Sequence, residues 1–292
     1  MDDIVPSLLE KIQAEFERQF NADRELGRMY GAMKSKTLTY ADANTFAIRL
    51  GEILASSFNK YITVDSLPEG KMWYNIATRI LAPTFHTNYS LICDICNAAQ
   101  SELNSRMKLG LGVQTPDFDE DRLKNFINKV SNAESFEDIQ WMLDEPVVNF
   151  SQSIVDEFIR TNAEFHYQSG LTPKIRRTLD GRNPCAWCKN LAGTYDYPYV
   201  PRDVYRKHER CRCVVEYIED GKYVQNVHDK TWKDGNEPPN VKEKRIEQEH
   251  VAQIQQEKRR QEAVAVARLM QEHPDWSKEG ATIYYRTQTR KR

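Results

Sequence analysis

Cys185-Ala-Trp-Cys188, followed by His208-Glu-Arg-Cys211-Arg-Cys213, constrains this chain more than any other stretch. A Cys-x2-Cys turn aims two sulfurs at one point, and a second Cys/His pair from a separate segment closes a tetrahedron around Zn²⁺. Five candidate ligands lie here: Cys185, Cys188, His208, Cys211 and Cys213. That is one more than four-coordinate zinc takes. The spacing predicts one structural Zn²⁺ held by Cys185, Cys188, His208 and either Cys211 or Cys213. His208-x2-Cys211 favours Cys211, because it can form a second tight turn. An extended segment would put Cys211 and Cys213 on one face, so an all-cysteine set stays open. Two disulfides or free thiols are the other reading of the same residues.

Composition narrows the setting. The 292 residues carry 29% charged side chains and a net charge of −2, so the whole chain exerts no global attraction on nucleic acid. No apolar run approaches the roughly 18 residues of a membrane span. Met1-Asp-Asp-Ile-Val-Pro6 lacks the basic and apolar regions of a signal peptide, which predicts a reducing compartment. Cysteines there serve more often as metal ligands than as disulfides.

Residues 1–170 are predicted to form a helical domain, because apolar side chains recur every three or four positions. Leu9, Ile12, Phe16 and Phe20 mark a first helix, with Pro6 suited to its first turn. Phe46, Leu50, Ile53, Leu54 and Phe58 mark a second, capped by Thr39 with Asp42. A third runs from about Met72 to Ala82, where Pro83 should end or kink it, and the period resumes from about Asn88 to Met107. Shorter helices are expected near 119–132 and 135–143, then a long one near 147–168 that Gly170 can terminate. Cys93-Asp-Ile-Cys96 is a second Cys-x2-Cys, but it lies inside a helical stretch without a second Cys/His pair and reads as core packing.

Residues 171–235 read as a small α+β module. Lys174–Leu179 and Val214–Ile218 suit strands, and Asp220-Gly221 should turn the latter into a hairpin through Val227. So few residues bury little apolar area by themselves, and a structural zinc would couple their folding to metal binding. Cysteine-rich, surplus ligands predict a closed site rather than a catalytic one, and no His-x-Glu precedes Pro184-Cys185 as a zinc deaminase would require. Between residues 171 and 216 stand ten Lys/Arg and five Asp/Glu. Arg176, Arg177, Arg206, Lys207, Arg210 and Arg212, beside Trp187 and Tyr195, Tyr197, Tyr199 and Tyr205, are candidate nucleic-acid contacts. A solvated face that offsets thiolate charge is the plainer reading.

The run Asp180-Gly-Arg-Asn-Pro-Cys185-Ala-Trp-Cys188-Lys-Asn-Leu-Ala-Gly193, closed by His208-Glu-Arg-Cys211-Arg-Cys213, resembles the C-terminal module of phage head morphogenesis proteins, the minor head proteins of the phage Mu F-like type. The resemblance covers about 45 residues. Glu209 stands where that family usually has Pro. It implies a virion protein made in the host cytoplasm and placed at the phage head interior or portal vertex. Its implied partners are the portal protein or the major capsid protein, and double-stranded DNA bound without sequence preference.

From 236 to 292 the chain reads as a helical arm with a basic tail. Asn236-Glu-Pro-Pro-Asn240 breaks the chain, and the Glu/Gln/Lys/Arg-rich stretch beyond has an apolar patch only from Ala263 to Met270. The expected fold class is mostly α: a helical domain, a zinc-stabilised α+β module and this arm. The expected function is that of a non-enzymatic minor capsid protein in head assembly and genome packaging or delivery. A zinc-scaffolded nuclease or toxin-like effector, and a generic zinc-finger-like nucleic-acid-binding protein, are the alternatives.

Overall fold

The structure, a computed structural model, describes residues 3–179, 184–219, 259–274 and 277–290. Residues 1–235 and 236–292 form two compact units. The first unit begins with α1 (Val5–Ala22), whose Pro6 occupies the first turn, where its missing N–H costs nothing. Asp23 then accepts the N–H groups of Glu25 and Leu26 and starts α2 (Arg24–Lys34). α3 (Tyr40–Tyr61) opens on the expected capping box: Asp42 N–H donates to the Thr39 hydroxyl, and Thr39 N–H donates back to the Asp42 carboxylate. α5 (Glu120–Ser131) and the single turn α6 (Phe136–Ile139) are capped by Asp119 and Ser135. α7 (Glu145–Gln168) ends in a Schellman motif: Gly170 takes φ 91°, Gly170 N–H bonds Tyr167 O and Leu171 N–H bonds His166 O.

Pro83 corrects one expectation. α4 runs unbroken from Tyr74 to Arg106, 33 residues with Pro83 inside. An interior proline removes one helical hydrogen bond and costs about 3 kcal/mol. Ile80, Leu81 and Phe85 on either side of it are fully buried, and Phe85 packs edge-on against Phe150 at 4.5 Å between ring centres. Burying a large apolar side chain is worth about 1.5–3 kcal/mol, so three such residues outweigh one lost hydrogen bond. Cys93 and Cys96 lie on this helix, buried as expected, with burial pushing the Cys93 thiol up to about 11.

α3 and α7 lie side by side along the middle of the bundle. Their approach is close enough that a Cβ on Gly51 would stand 2.8 Å from the Val148 Cα and 2.9 Å from the Ser151 Oγ. Ser151 is itself fixed, its hydroxyl accepting from Asn88 Nδ2 at 2.9 Å and donating to Val147 O at 3.0 Å. The glycine sets the interhelical distance, because backbone cannot give way as a side-chain tip can.

A three-stranded antiparallel sheet sits on this bundle in the order β2 (Gly193–Asp196), β1 (Pro173–Thr178), β3 (Val214–Glu219). Both predicted strands, β1 and β3, are present and pair with each other, with Arg177 opposite Val215. The hairpin expected beyond Asp220 lies outside the described residues. Alternation along β1 buries Pro173, Ile175 and Arg177, and along β3 it buries Val215 and Tyr217, in step with Cys213 just before the strand. Ile175, Val215 and Tyr217 belong to the same apolar core as the helices, and Tyr217 OH meets His166 Nδ1 of α7 at 2.7 Å. Burial pushes that histidine down to about 4, so it is neutral at pH 7. The α+β segment is therefore not a module apart: the bundle supplies the apolar surface that so short a sheet lacks.

In the second unit, residues 259–272 form α9 and Lys278–Arg290 form α10. The first half of the expected arm helix, 241–258, lies outside the described residues. No described helix is long and apolar enough to cross a membrane.

Gly51→Ala should lower stability by about 1–3 kcal/mol, the usual cost of overpacking, despite the better helix propensity of alanine. A urea midpoint at or above that of the wild type would show that α3 and α7 can move apart freely.

Candidate metal centre

The first two ligands come from one local device. Cys185 is the N-cap of α8 (Ala186–Leu191), and its sulfur accepts the N–H of Cys188 at 3.3 Å. One helical turn thus carries both sulfurs to the same side. That N–H also pulls the Cys185 thiol below the usual cysteine range. The other candidates arrive on the loop that leaves the turn Arg202–Tyr205 and enters β3.

The five residues gather into two overlapping triads that share Cys188. His208 Nε2 lies 3.3 Å from Cys185 Sγ and 3.0 Å from Cys188 Sγ. Cys188 Sγ lies 3.8 Å from Cys211 Sγ. The ligand atoms of Cys185, Cys188 and His208 fall within 4.8 Å of one another, as do those of Cys188, Cys211 and Cys213. Tetrahedral zinc with Zn–S near 2.3 Å requires sulfurs about 3.8 Å apart, the separation of Cys188 and Cys211. That spacing also rules out an S–S bond of about 2.05 Å between them, and all six cysteines are free. The His208 ring is set for ligation, because its Nδ1 donates to Glu209 O at 2.6 Å and leaves the Nε2 lone pair facing the sulfurs. The cluster can hold a metal ion, with Cys188 at its hub. Cys188, Cys211 and Cys213 are buried while Cys185 is exposed, and burial pushes the Cys188 thiol up to about 12.

Arg177 closes the inner side. It is 1% exposed. Its Nη2 faces Cys211 Sγ at 3.6 Å and Cys188 Sγ at 3.7 Å. Its Nη1 donates to Val204 O at 2.5 Å and Arg206 O at 2.8 Å. The guanidinium lies under the Trp187 ring, 5.2 Å from its centre. One cation thereby stands where metal-bound thiolates would carry negative charge and ties down the loop that delivers His208 and Cys211.

Arg177 and Lys207 correct the expected nucleic-acid contacts, because neither reaches the surface. Lys207 is 2% exposed at its side chain, 3.3 Å from an equally buried Asp156 on α7, and it donates to Cys213 O at 2.6 Å. Burial raises the Asp156 carboxyl, and the Lys207 ammonium works against that rise. Arg212 is drawn the other way, to Glu145 at 3.1 Å and Glu52 at 3.5 Å, bracing the cluster against α7 and α3. Arg176 pairs with Glu216 at 3.0 Å and stays exposed. Arg206, 3.1 Å from Asp203, and Arg210, 3.9 Å from Glu209, are the most exposed of the six. Tyr195 donates to Leu191 O and Tyr197 to Glu164, which leaves Trp187 and Tyr199 as the exposed rings of the expected aromatic set.

Two roles were missed by sequence reasoning. Alternation along Lys174–Thr178 already places Arg177 on the face of Ile175, a signal that an inward arginine needs an anionic partner. The Lys207–Asp156 pair spans 51 residues and has no local signature.

Arg177→Met should weaken metal binding by about 10–100-fold, the usual effect of losing a group that supports the ligands. Competition against a chromophoric chelator would measure this, and unchanged affinity would remove the guanidinium from the metal's support. Lys207→Met strands a buried carboxylate and should lower stability by about 3–5 kcal/mol. The double variant Lys207→Met/Asp156→Leu should recover most of that loss in urea unfolding.

No protein-family model, no curated protein and no solved structure matches this chain.

Proposed function

We propose that the chain is a structural minor head protein of a phage, acting at the portal or inner capsid surface during head assembly and genome packaging or delivery. Its metal is one Zn²⁺ bound by Cys185, Cys188, His208 and Cys211. The observation that carries this reading is the convergence of Cys-x2-Cys and His-x2-Cys-x-Cys on one cluster sealed by a buried arginine. A thiolate-rich centre plugged from inside has the character of a folding clamp, whereas a catalytic zinc keeps a position open for water. Cys211 lies at a zinc-like distance from Cys188 and touches Arg177, and Cys213, in the same triad, is the other ligand the cluster offers. Zinc contributes binding energy that holds the segment 184–213, and that segment presents Arg206 and Arg210 to solvent.

Within the second unit, α9 and α10 line a groove of about 500 Å³ with Ala263, Val266, Ala267 and Met270, and Val264 is 64% exposed. The apolar stripe of α9, flanked by Arg259, Glu262 and, from α10, Lys278 and Thr282, supports the arm as the docking element for a portal or capsid protein. DNA contact is secondary in this reading and rests on phosphate neutralisation, so it falls steeply with salt.

Co-expression with the neighbouring portal and capsid genes tests the proposal. The chain should co-purify with the particles and carry one zinc, and truncation at Asn236 should abolish incorporation without unfolding the rest. Full incorporation of the truncated chain would assign docking to the helical bundle or the metal centre. Metal-dependent cleavage of nucleic acid by the pure protein, lost on mutating a residue outside the cluster, would replace the structural reading with a nuclease.

A further inference from the structure

A cleft of about 430 Å³ lies beside the metal centre, between α5, α7 and the loop that carries His208. Its volume falls within the roughly 300–1,000 Å³ of small-molecule sites. Arg122 and Arg206 bring two cations to its walls, with the buried Lys207 ammonium behind them, and no carboxylate is among the residues that line it. Lys207 is held by Asp156 and Arg206 by Asp203. Arg122 forms no salt bridge among the described residues and lies over the Phe150 ring at 5.1 Å. Its Nη2 lies 3.5 Å from Asn149 O, and Asp119 and Asp156 act on it only through space, so its guanidinium can still take an anion.

Two further features suit a ligand with a ring and hydrogen-bonding edges. Trp187 stands at the rim, 37% exposed, with Arg177 on one face and the His208 ring edge-to-face at 5.7 Å, and its remaining exposed surface is a platform for a planar ring. Asn149 Oδ1 and the Tyr205 hydroxyl are buried and have no hydrogen-bond partner. Both residues line the same cleft. Each such atom costs about 1–3 kcal/mol while unsatisfied, and both lie just beneath the cleft wall, where a small side-chain rotation would offer them to a polar ligand.

We propose that this cleft binds a nucleoside phosphate, with the phosphate on Arg122 and the base on Trp187. The ligand is a free nucleotide or one nucleotide of a single strand, since both present the same group. The site does not depend on the head-protein reading, which would survive its loss.

Titration calorimetry on the full metal-loaded chain tests it with AMP, adenosine, inorganic phosphate and a short single-stranded oligodeoxythymidylate. AMP should bind at least tenfold more tightly than adenosine or phosphate, because only it spans both subsites. Arg122→Gln should weaken AMP about tenfold with metal content and far-UV spectrum unchanged. Trp187→Leu, accepted only if zinc is retained, should weaken AMP without changing the weak binding of phosphate. Competition between AMP and the oligonucleotide identifies a strand as the ligand, and AMP binding without oligonucleotide binding identifies a free nucleotide. The proposal is overturned if neither AMP nor the oligonucleotide binds at millimolar concentration. It is equally overturned if phosphate alone binds as tightly as AMP, or if Arg122→Gln leaves AMP affinity unchanged.

Discussion

The buried Arg177 guanidinium is the contact on which the metal segment depends. It reaches two cluster sulfurs with one nitrogen and two loop carbonyls with the other. A charge of this kind, taken out of water, costs several kcal/mol unless partners replace its hydration. The contacts of its two terminal nitrogens hold the loop over which His208, Cys211 and Cys213 approach Cys188. Ligand geometry and loop conformation are thus one constraint, and a change at either end is felt at the other.

That constraint would fail on a free-standing sheet. Ile175, Val215 and Tyr217 complete their burial against the helices, and the Lys207–Asp156 and Arg212–Glu145 pairs fasten the cluster to α7. The buried pair is weak evidence for net stability, since two hydrophobic residues of similar volume often do as well. Its value lies in register: an ammonium that must meet Asp156 and Cys213 O together allows one seating of the loop. Metal loss is therefore expected to release residues 184–213 while β1 and β3 stay on the bundle.

Helix boundaries were legible wherever a local device sets them. Thr39 with Asp42, Pro6 and Gly170 act within one turn of chain, and each does in the structure what its type and position imply. The short α2 was missed although Asp23 caps it and Leu26, Met29, Tyr30 and Met33 carry the helical spacing; Gly27 and Gly31 within it argue against a helix by propensity alone. Pro83 does not end the helix, because the proline rule describes a helix in isolation and burial of the flanking Ile80, Leu81 and Phe85 outweighs the lost hydrogen bond.

The amino-acid sequence by itself determined the mostly helical class, two of the three strands and all five cluster residues. Periodicity, caps and Cys-x2-Cys spacing are short-range properties, and such properties survive in one dimension. Only the tertiary structure decided that Arg177 and Lys207 point inward and that Gly51 meets Val148. It also decided that Arg122, Trp187 and Tyr205 line one cleft. Each of those outcomes depends on which distant surface arrives opposite a residue, and burial and charge pairing are decided by that arrival.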